Sequence, residues 1–319
     1  MELRVFGESI FNWDSLQATN FRNCRPVYIG DIQMGLIYSV VNQKGGVGKT
    51  TTAVNLSACL ADAGKRVLLI DSDPQGNASG GLGVDKHSIG ADGSVAPYST
   101  YDILVNNRPI SEAHVQTCVE RLSLVPANMD LAGAEVELTS NEGWEFTLGN
   151  SLREARDEFD FILIDSPPSL GALTVNALVA SDYGIIPIQC EYYALEGVSQ
   201  LMKTVQLVQK RLNPSFEIGL VILTMYDNRI RLARDVVSEV RSTFAGRVSA
   251  TIIPRNVRLS EAPSHGKPVT LYDPKSTGAK AYREIAKEVM ANGKKRAGEG
   301  VGSAHRGQPF RGWFKRSGD

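Results

Sequence analysis

The chain has 319 residues, of which 42% are hydrophobic and 22% are charged, and its formal net charge at pH 7 is −1. These values are typical of a globular protein with a sizeable buried core. They exclude a protein that binds nucleic acid through a large overall positive charge, so any such partner would have to be met by a local basic surface.

Cysteine usage and hydropathy indicate the cellular compartment. The four cysteines show neither metal-site spacing nor a disulfide framework, and they are Cys24, Cys59, Cys118 and Cys190. We therefore expect a reducing cytoplasm. No apolar run approaches the roughly 18 residues needed to span a membrane. The N-terminus lacks the basic start and long apolar stretch of a signal peptide.

Residues 1–35 have no helical or strand period and mix aromatic with polar residues. We predict that this stretch is a flexible N-terminal extension. Two alternatives remain open. It is a short docking element, or it reflects an upstream start, in which case Met34 is the natural first residue.

From Leu36 onward, apolar strand-like runs alternate with helix-like patterns. Several runs are almost wholly apolar, which is typical of strands buried on both faces of a mainly parallel sheet. The predicted strands are 36–41, 66–70, 122–126, 161–164, 184–188, 218–224 and 249–253, and the predicted helices are 50–63, 130–139, 145–157, 172–180, 195–211, 230–244 and 277–291. The order predicts an α/β fold, a doubly wound, mainly parallel sheet with helices on both faces and ligands at the carboxyl ends of the strands.

The positions of glycines and of charged residues indicate where helices, loops and the main domain end. Gly64 stands where the first helix should end, a C-cap position, and the stretch 80–99 is predicted to be an exposed loop. We place the main domain at 36–292. Residues 293–319 carry seven basic against two acidic residues and seven glycines, so we predict a disordered basic tail. Aromatic residues among the basic ones near its end leave two possibilities, a solvated tail or one that contacts a membrane or nucleic acid.

A glycine-rich turn follows the first predicted strand and opens the first predicted helix. Its sequence is Lys44-Gly45-Gly46-Val47-Gly48-Lys49-Thr50-Thr51. The backbone N–H groups of such a turn and the helix dipole cradle phosphate, and its glycines allow positive φ and close approach. Lys49 is placed to reach the β- and γ-phosphates, and the Thr50 hydroxyl to hold Mg²⁺. The turn therefore predicts a P-loop NTPase.

The turn departs from the general P-loop pattern, because its first glycine is replaced by Gln43 and Lys44 follows. A second lysine has little room beside a phosphate that Lys49 already holds. We therefore expect Lys44 to project outward, toward a nucleotide held by a second copy of the chain.

Carboxylates follow two further strands. Asp71 and Asp73 come directly after the second strand, in a tight loop suited to sensing the γ-phosphate. A capping or turn role alone would explain one aspartate, whereas two, with Gln75 and Asn77 following, favour a functional role for the loop. Asp165 ends an apolar run in the Walker-B manner, which predicts a carboxylate that holds Mg²⁺.

Between residues 227 and 258, seven arginines stand against three acidic residues, with no lysine. Guanidinium groups suit phosphate oxygens. Because no helix-turn-helix or zinc pattern accompanies them, we expect contact with the DNA backbone rather than sequence readout. Solvated helix faces with local ion pairs are the alternative for any single arginine.

Taken together, these motifs resemble the ParA/Soj partition ATPases, in the wider deviant Walker A superfamily that includes MinD. The resemblance covers about residues 36–292 and rests on the deviant P-loop and on DSDPQGN (71–77), DSPPSLG (165–171), EYYALEG (191–197), TMYDNR (224–229) and IPRNVRLSEAPSHGKP (253–268).

The resemblance implies an ATPase of slow intrinsic turnover whose ATP-bound subunits close face to face. In that family Lys44 matches the lysine that crosses to the partner's nucleotide. Lys49, Thr50 and Thr51 match the phosphate and Mg²⁺ ligands. Asp73 matches the residue needed for hydrolysis, and Asp165 the Walker-B acid.

The resemblance also implies partners and a location. The ATP dimer would bind double-stranded DNA without sequence preference, on the nucleoid in the cytoplasm, and a ParB-like centromere-binding protein would stimulate hydrolysis. The DNA contacts carried over are Arg229 and Arg258, then Arg231 and Arg255. By the same analogy, Pro254 and Asn256 would contact the adenine.

The alternative function is a MinD-like membrane-cycling ATPase that positions division machinery, for which the aromatic residues of the tail give some support. We expect no membrane partner, because glycines and a proline interrupt residues 300–312 and the 253–268 motif is intact. A metabolic P-loop kinase would need an acceptor-substrate site, and the sequence shows none.

Overall fold

The structure is a computed structural model, and it describes residues 34–84, 98–191 and 194–298. Its centre is a seven-stranded sheet in the order β3-β4-β2-β5-β1-β6-β7. The pairings are parallel except for that of β3 with β4. The strands are β1 Leu36–Val40, β2 Val67–Asp71, β3 Val115–Gln116, β4 Leu122–Val125, β5 Phe161–Asp165, β6 Tyr183–Gln189 and β7 Glu217–Thr224.

Helices connect the strands and cover both faces of the sheet. They are α1 Lys49–Asp62, α2 Asn77–Gly81, α3 Thr100–Val105, α4 Ile110–Ala113, α5 Leu131–Leu138, α6 Thr147–Glu158, α7 Ala172–Ala180, α8 Ala194–Arg211, α9 Arg231–Thr243, α10 Val257–Glu261, α11 Val269–Tyr272 and α12 Thr277–Gly298. Short 3-10 turns cover Trp144–Phe146 and Ala262–His265. The predicted fold class is confirmed. In the described parts of the chain, no helix is both long and apolar enough to cross a bilayer.

The core lies on both sides of the central strands because their side chains alternate between two apolar layers. Along β2, Leu69 packs in the layer that contains α1 and α12, whereas Leu68 and Ile70 pack in the layer that contains α6 and α7. Every residue of β2 is buried. This two-sided burial explains the continuous apolar runs of the sequence.

Residues 249–253 do not form the predicted strand. They meet β7 only through backbone hydrogen bonds beside the isolated bridges of Val221 with Val248 and of Tyr226 with Pro254. The cause lies in α12. The Glu288 carboxylate accepts hydrogen bonds from the N–H groups of residues 250 and 251 at 3.2 Å each, so these donors turn away from the sheet.

Several short elements were not predicted, and they are β3, α2, α3, α4, α10 and α11. The edge strand β3 has two residues, too few to show a period of two. The helix α2 occupies the start of the stretch 80–99, where an exposed loop was predicted. Gly81, Leu82 and Val84 are buried there, so this part of the prediction is wrong, and residues 85–97 lie outside the described parts.

The C-terminal boundary of the domain differs from the predicted one. Ala63 is the C-cap residue of α1, and Gly64 follows it with a left-handed φ of 84°, so the predicted glycine stands one residue beyond the cap. At the other end, α12 continues to Gly298, so residues 293–298 are helical rather than part of a disordered tail. Gly293 is buried against Leu36, since an added Cβ would lie 2.9 Å from its Cδ1. The predicted extension up to residue 33 and the rest of the tail lie outside the described residues.

Candidate nucleotide-binding site

The predicted P-loop lies at the carboxyl edge of the sheet, between β1 and α1. Gly46 and Gly48 take positive φ values of 72° and 92°, and Gly48 caps α1. A Cβ added at Gly45 or Gly46 would meet no protein atom within 4 Å. The turn is therefore an open cradle at a helix N-terminus, as phosphate binding requires.

Two long-range contacts that the sequence did not reveal hold this turn. The Thr224 hydroxyl at the end of β7 donates to the Val47 carbonyl at 2.9 Å. The Asn42 amide donates to the Pro187 carbonyl at 2.7 Å, and its oxygen accepts from the Lys44 N–H at 3.1 Å. The P-loop is thus tied to β6 and β7 as well as to its own strand. Thr224 lies within a motif quoted above, which was the available signal.

Lys49 points into the cradle. Its ammonium donates to the Lys44 carbonyl at 3.1 Å, and the residue is 7% exposed. Burial lowers the pKa of Lys49, while the charges of Asp165 and Asp73 oppose this shift. The structure therefore brings the P-loop lysine and both predicted carboxylates together at one place.

Asp165 ends β5 directly beside the P-loop strand, in register with Val40 of β1 and Asp71 of β2. It is fully buried, and neither carboxylate oxygen has a hydrogen-bond partner within the described chain. Burial raises its pKa well above the usual value, and the charge of Asp71 adds to the rise. The Thr50 hydroxyl, which lies near the carboxylate without meeting the geometry of a hydrogen bond, and the Lys49 ammonium oppose it. A buried, unpartnered carboxylate is costly unless a cation meets it.

Asp71 and Asp73 have different surroundings. The Asp71 carboxylate accepts from the N–H and hydroxyl of Ser79 at 2.8 and 2.7 Å and from the Asp73 N–H at 3.2 Å. Burial raises the pKa of Asp71 to about 6 despite these bonds. Asp71 is therefore committed to shaping the loop. Asp73, 7% exposed, accepts at Oδ1 from the Gln75 N–H at 3.0 Å.

Lys44 leaves the cradle, in contrast to Lys49. Its ammonium lies 3.9 Å from a carboxylate oxygen of Glu191, just after β6, and its side chain is 33% exposed. Gly197 of α8 lies alongside, because a Cβ added there would be 3.5 Å from the Lys44 Cβ. The outward course is the one expected from the deviant loop. Glu191 was not singled out in the sequence.

Two residues assigned to the adenine by analogy lie in the segment that follows β7. Pro254 bridges to Tyr226. The Asn256 oxygen caps α10 by accepting from the Arg258 N–H at 2.8 Å, and its amide donates to the Thr277 hydroxyl at 2.6 Å. Both polar ends of Asn256 are thus used inside the protein, while its contact with a base stays a prediction.

The four arginines predicted to contact DNA lie on exposed segments. Arg229 forms a two-pronged pair with Asp227, at 2.9 and 2.6 Å, and its side chain is 83% exposed. The hydrogen bonds from Arg229 lower the pKa of Asp227 to about 2. Arg231 is exposed at the first turn of α9.

The other two lie on the neighbouring 254–258 segment. Arg258 pairs with Glu261 at 2.8 Å and with Asp273 at 3.4 Å, and Arg255 lies 3.8 Å from Glu191. The Arg255 N–H donates to the Tyr226 carbonyl at 3.0 Å, so the two arginine-bearing segments run side by side. Arg229 and Arg258 are therefore paired with local acids, whereas Arg255 makes only a long contact with Glu191.

These observations define the class of protein. A glycine turn with a buried lysine, followed by a Walker-B carboxylate on the adjacent strand of a mainly parallel sheet, makes a P-loop NTPase, here with the deviant extra lysine.

The comparisons with known proteins agree. A family model described as an AAA domain matches residues 35–218. The sporulation initiation inhibitor protein Soj of Bacillus subtilis is 55% identical over 82% of this chain and 100% of its own length. The chromosome partitioning protein ParA of Myxococcus xanthus is 52% identical over 81% and 88%. This chain belongs to the Soj/ParA family of chromosome-partitioning ATPases.

Solved structures show the same fold, in one case with bound ligands. Cobyrinic acid a,c-diamide synthase from Mycobacterium smegmatis, with bound ADP and magnesium, is 38% identical with a TM-score of 0.71, over 82% of this chain and 97% of the other. The cell division ATPase MinD of Pyrococcus furiosus is 27% identical with a TM-score of 0.64, over 81% and 99%.

Proposed function

We propose that this chain is an ATP-dependent DNA-partitioning switch. In this proposal two ATP-bound subunits close face to face, and the dimer holds double-stranded DNA through its backbone. A ParB-like centromere-binding protein stimulates hydrolysis and so releases the DNA. The membership of the Soj/ParA family supports a partitioning ATPase, and the steps of the cycle are the part proposed.

The different directions of Lys44 and Lys49 are the observation that supports the proposal most strongly. Lys49 turns inward and is 7% exposed, so it serves the phosphates of its own subunit. Lys44 turns outward onto the surface beside Glu191, where a second subunit can be reached. One loop thus presents one lysine to its own nucleotide and one to that of a partner.

The residues around Asp165 fit a divalent cation, because its buried carboxylate oxygens have no partner in the described chain. Asp165 and the Thr50 hydroxyl would hold Mg²⁺. When bound, the ion neutralises charge on the phosphates. Because Asp165 is buried without a partner and its pKa is raised, a cation bound here would stabilise the charged carboxylate.

Lys44 and Asp73 would then act on hydrolysis. Lys44 of one subunit stabilises charge that develops at the nucleotide of the other, as an arginine finger does in related NTPases. Asp73 orients the attacking water, because Asp71 beside it is already committed to Ser79. Phosphoryl transfer needs positioning and electrostatic stabilisation more than a strong base, which agrees with slow intrinsic turnover.

The arginine-bearing segments would form the DNA surface. Arg229, Arg231, Arg255 and Arg258 stand on neighbouring exposed segments, and a dimer would present this set twice. Guanidinium contacts to phosphate position a protein on DNA without reading its sequence. Each contact adds roughly 0.9 to the log–log slope of affinity against salt.

Sedimentation decides between the proposal and its alternative. The full chain is mixed with a non-hydrolysable ATP analogue and spun with plasmid DNA or with anionic liposomes, and its size is measured by light scattering. We expect dimers that sediment with DNA and stay in solution with liposomes. A monomer with bound analogue, or a dimer that ignores DNA, contradicts the switch.

The MinD-like alternative predicts the opposite result, sedimentation with liposomes. The tail residues that supported it lie outside the described parts of the chain, and identity is 27% to MinD against 55% to Soj. A smaller difference in identity, 55% against 38%, favours partitioning over the metabolic activity that names the Mycobacterium neighbour.

A further inference from the structure

One carboxylate lies between the two functional regions of the subunit. Glu191 has one oxygen 3.9 Å from the Lys44 ammonium and the other 3.8 Å from the Arg255 guanidinium. The Gln189 amide also donates to it at 2.6 Å. Glu191 is 51% exposed as a side chain, so no burial requirement explains why two cations share it.

The Lys44 side of this contact is well defined. Asn42, itself held by the Pro187 carbonyl, accepts from the Lys44 N–H, and Gly197 leaves room for its side chain against α8. The backbone of Lys44 is therefore fixed, and its ammonium has Glu191 as its ion-pair partner in the described chain. To reach the nucleotide of another subunit, this ammonium must leave Glu191.

The Arg255 side is defined by backbone contacts. Arg255 donates its N–H to the Tyr226 carbonyl, and its guanidinium lies 3.8 Å from Glu191. The hydrogen bonds from Arg229 lower the pKa of Asp227, and the charge of Arg255 adds a small part. The side chain is 66% exposed. To bind a DNA phosphate, this guanidinium must leave Glu191 as well.

We propose that Glu191 is a positioning residue that restrains Lys44 and Arg255 in the free subunit, so that both dimerisation and DNA binding must break a contact with the same carboxylate. This inference rests on the proposed function. Exposed pairs of this length are weak, which suits a contact that is broken and remade in every cycle.

The test compares Glu191→Gln with Glu154→Gln in the full chain. Glu154 is exposed on α6, so its substitution gives the same change of net charge away from Lys44 and Arg255. Two quantities are measured for each variant. The first is the protein concentration that gives half-maximal ATPase activity. The second is the affinity for plasmid DNA with a non-hydrolysable analogue, with and without Arg255→Ala.

We expect Glu191→Gln to lower the half-maximal protein concentration about 3-fold while the rate at saturating protein is unchanged, because Lys44 starts free. DNA affinity should rise about 3-fold, and this gain should vanish in the Arg255→Ala background. A merely structural role would change the saturating rate, and a general charge effect would persist without Arg255.

The inference is overturned if Glu191→Gln behaves like Glu154→Gln, if only one of the two quantities changes, or if the DNA gain persists in Arg255→Ala. Failure of the proposed function would look different. The wild-type chain would then show no analogue-dependent dimer or no binding to DNA, before any variant is compared.

Discussion

The nucleotide edge and the arginine surface use charge in opposite ways. At the nucleotide edge, Lys49 and Asp165 are buried, and Asp165 has no hydrogen-bond partner in the described chain. On the arginine surface, Arg229 and Arg258 are exposed and each pairs with an acid in contact range. At the nucleotide edge, a buried carboxylate without a partner would be neutralised by a bound cation. On the arginine surface, the guanidinium groups stay paired with local acids until the phosphates of a polyanion compete for them.

The difference has an energetic consequence. Buried unpaired charge is expensive, so removing one group at the nucleotide edge should have a large and specific effect. Exposed pairs contribute little individually, so the arginine surface should respond in graded, salt-dependent steps. Substitutions at the nucleotide edge and on the arginine surface test whether their effects differ in this way.

The largest effect is expected for Lys44→Ala. Without its ammonium the loop cannot meet the nucleotide of a second subunit, so analogue-dependent dimers should be lost in light scattering. Nucleotide affinity of the monomer should stay within about 3-fold, since Lys49 remains. Dimers of normal stability would remove Lys44 from the trans role.

Asp73→Ala should reduce ATP turnover by at least about 100-fold, the range expected for a group that assists proton transfer or orients water. The dimer should persist in ATP, because hydrolysis is blocked after assembly. Phosphate release measured with ATP in excess tests the rate, and light scattering tests the trapped dimer. Wild-type turnover would exclude Asp73 from the mechanism.

Arg229→Glu combined with Arg258→Glu should weaken DNA binding by about 100-fold at moderate salt and reduce the salt slope, because a dimer loses four positions near phosphate. Dimerisation should be unchanged. Arg153→Glu combined with Lys210→Glu, at exposed positions on α6 and α8, serves as the charge-matched control. Unchanged retardation of DNA in a gel would place the binding surface elsewhere.

The smallest effect concerns stability. Burial raises the pKa of Asp71 to about 6 from 3.8, so its ionisation costs the folded state more than the unfolded chain. Its contribution to stability is therefore present below about pH 4 and is lost as pH rises through about 6. Asp71→Asn should remove this dependence, worth about 2 kcal/mol between pH 4 and 7.

Urea unfolding of both proteins across that range provides the measurement. The free energy of unfolding of the variant should rise relative to that of the wild type as pH rises. Altered bonding to Ser79 would lower it by an amount that does not depend on pH. A constant difference between the two proteins from pH 4 to 7 would contradict the assignment.

The local part of the architecture could be predicted from the sequence. Strand, glycine turn and helix follow each other within 36–62, so the period of the side chains and the turn residues were sufficient. Asp165 was found in the same way, at the end of an apolar run. The outward course of Lys44 was expected because a second lysine has no room in the cradle.

The long-range part could not be predicted. Thr224 and Asn42 support the P-loop through groups far away in sequence, and no local pattern reports such contacts. Residues 249–253 have strand-like residues, yet Glu288 on α12 takes their N–H groups. The contact of Glu191 with two cations depends on the same kind of tertiary arrangement.

The packing of Gly293 against Leu36 has a practical consequence. The P-loop follows the end of β1, whereas Leu36 begins it, and Gly35 donates to the Arg156 carbonyl at that far edge. The chain therefore enters the domain, and α12 reaches it, on the side away from the nucleotide. A fluorescent protein joined directly before residue 34 or directly after residue 298 should follow the molecule in a living cell without obstructing the encounter between two subunits.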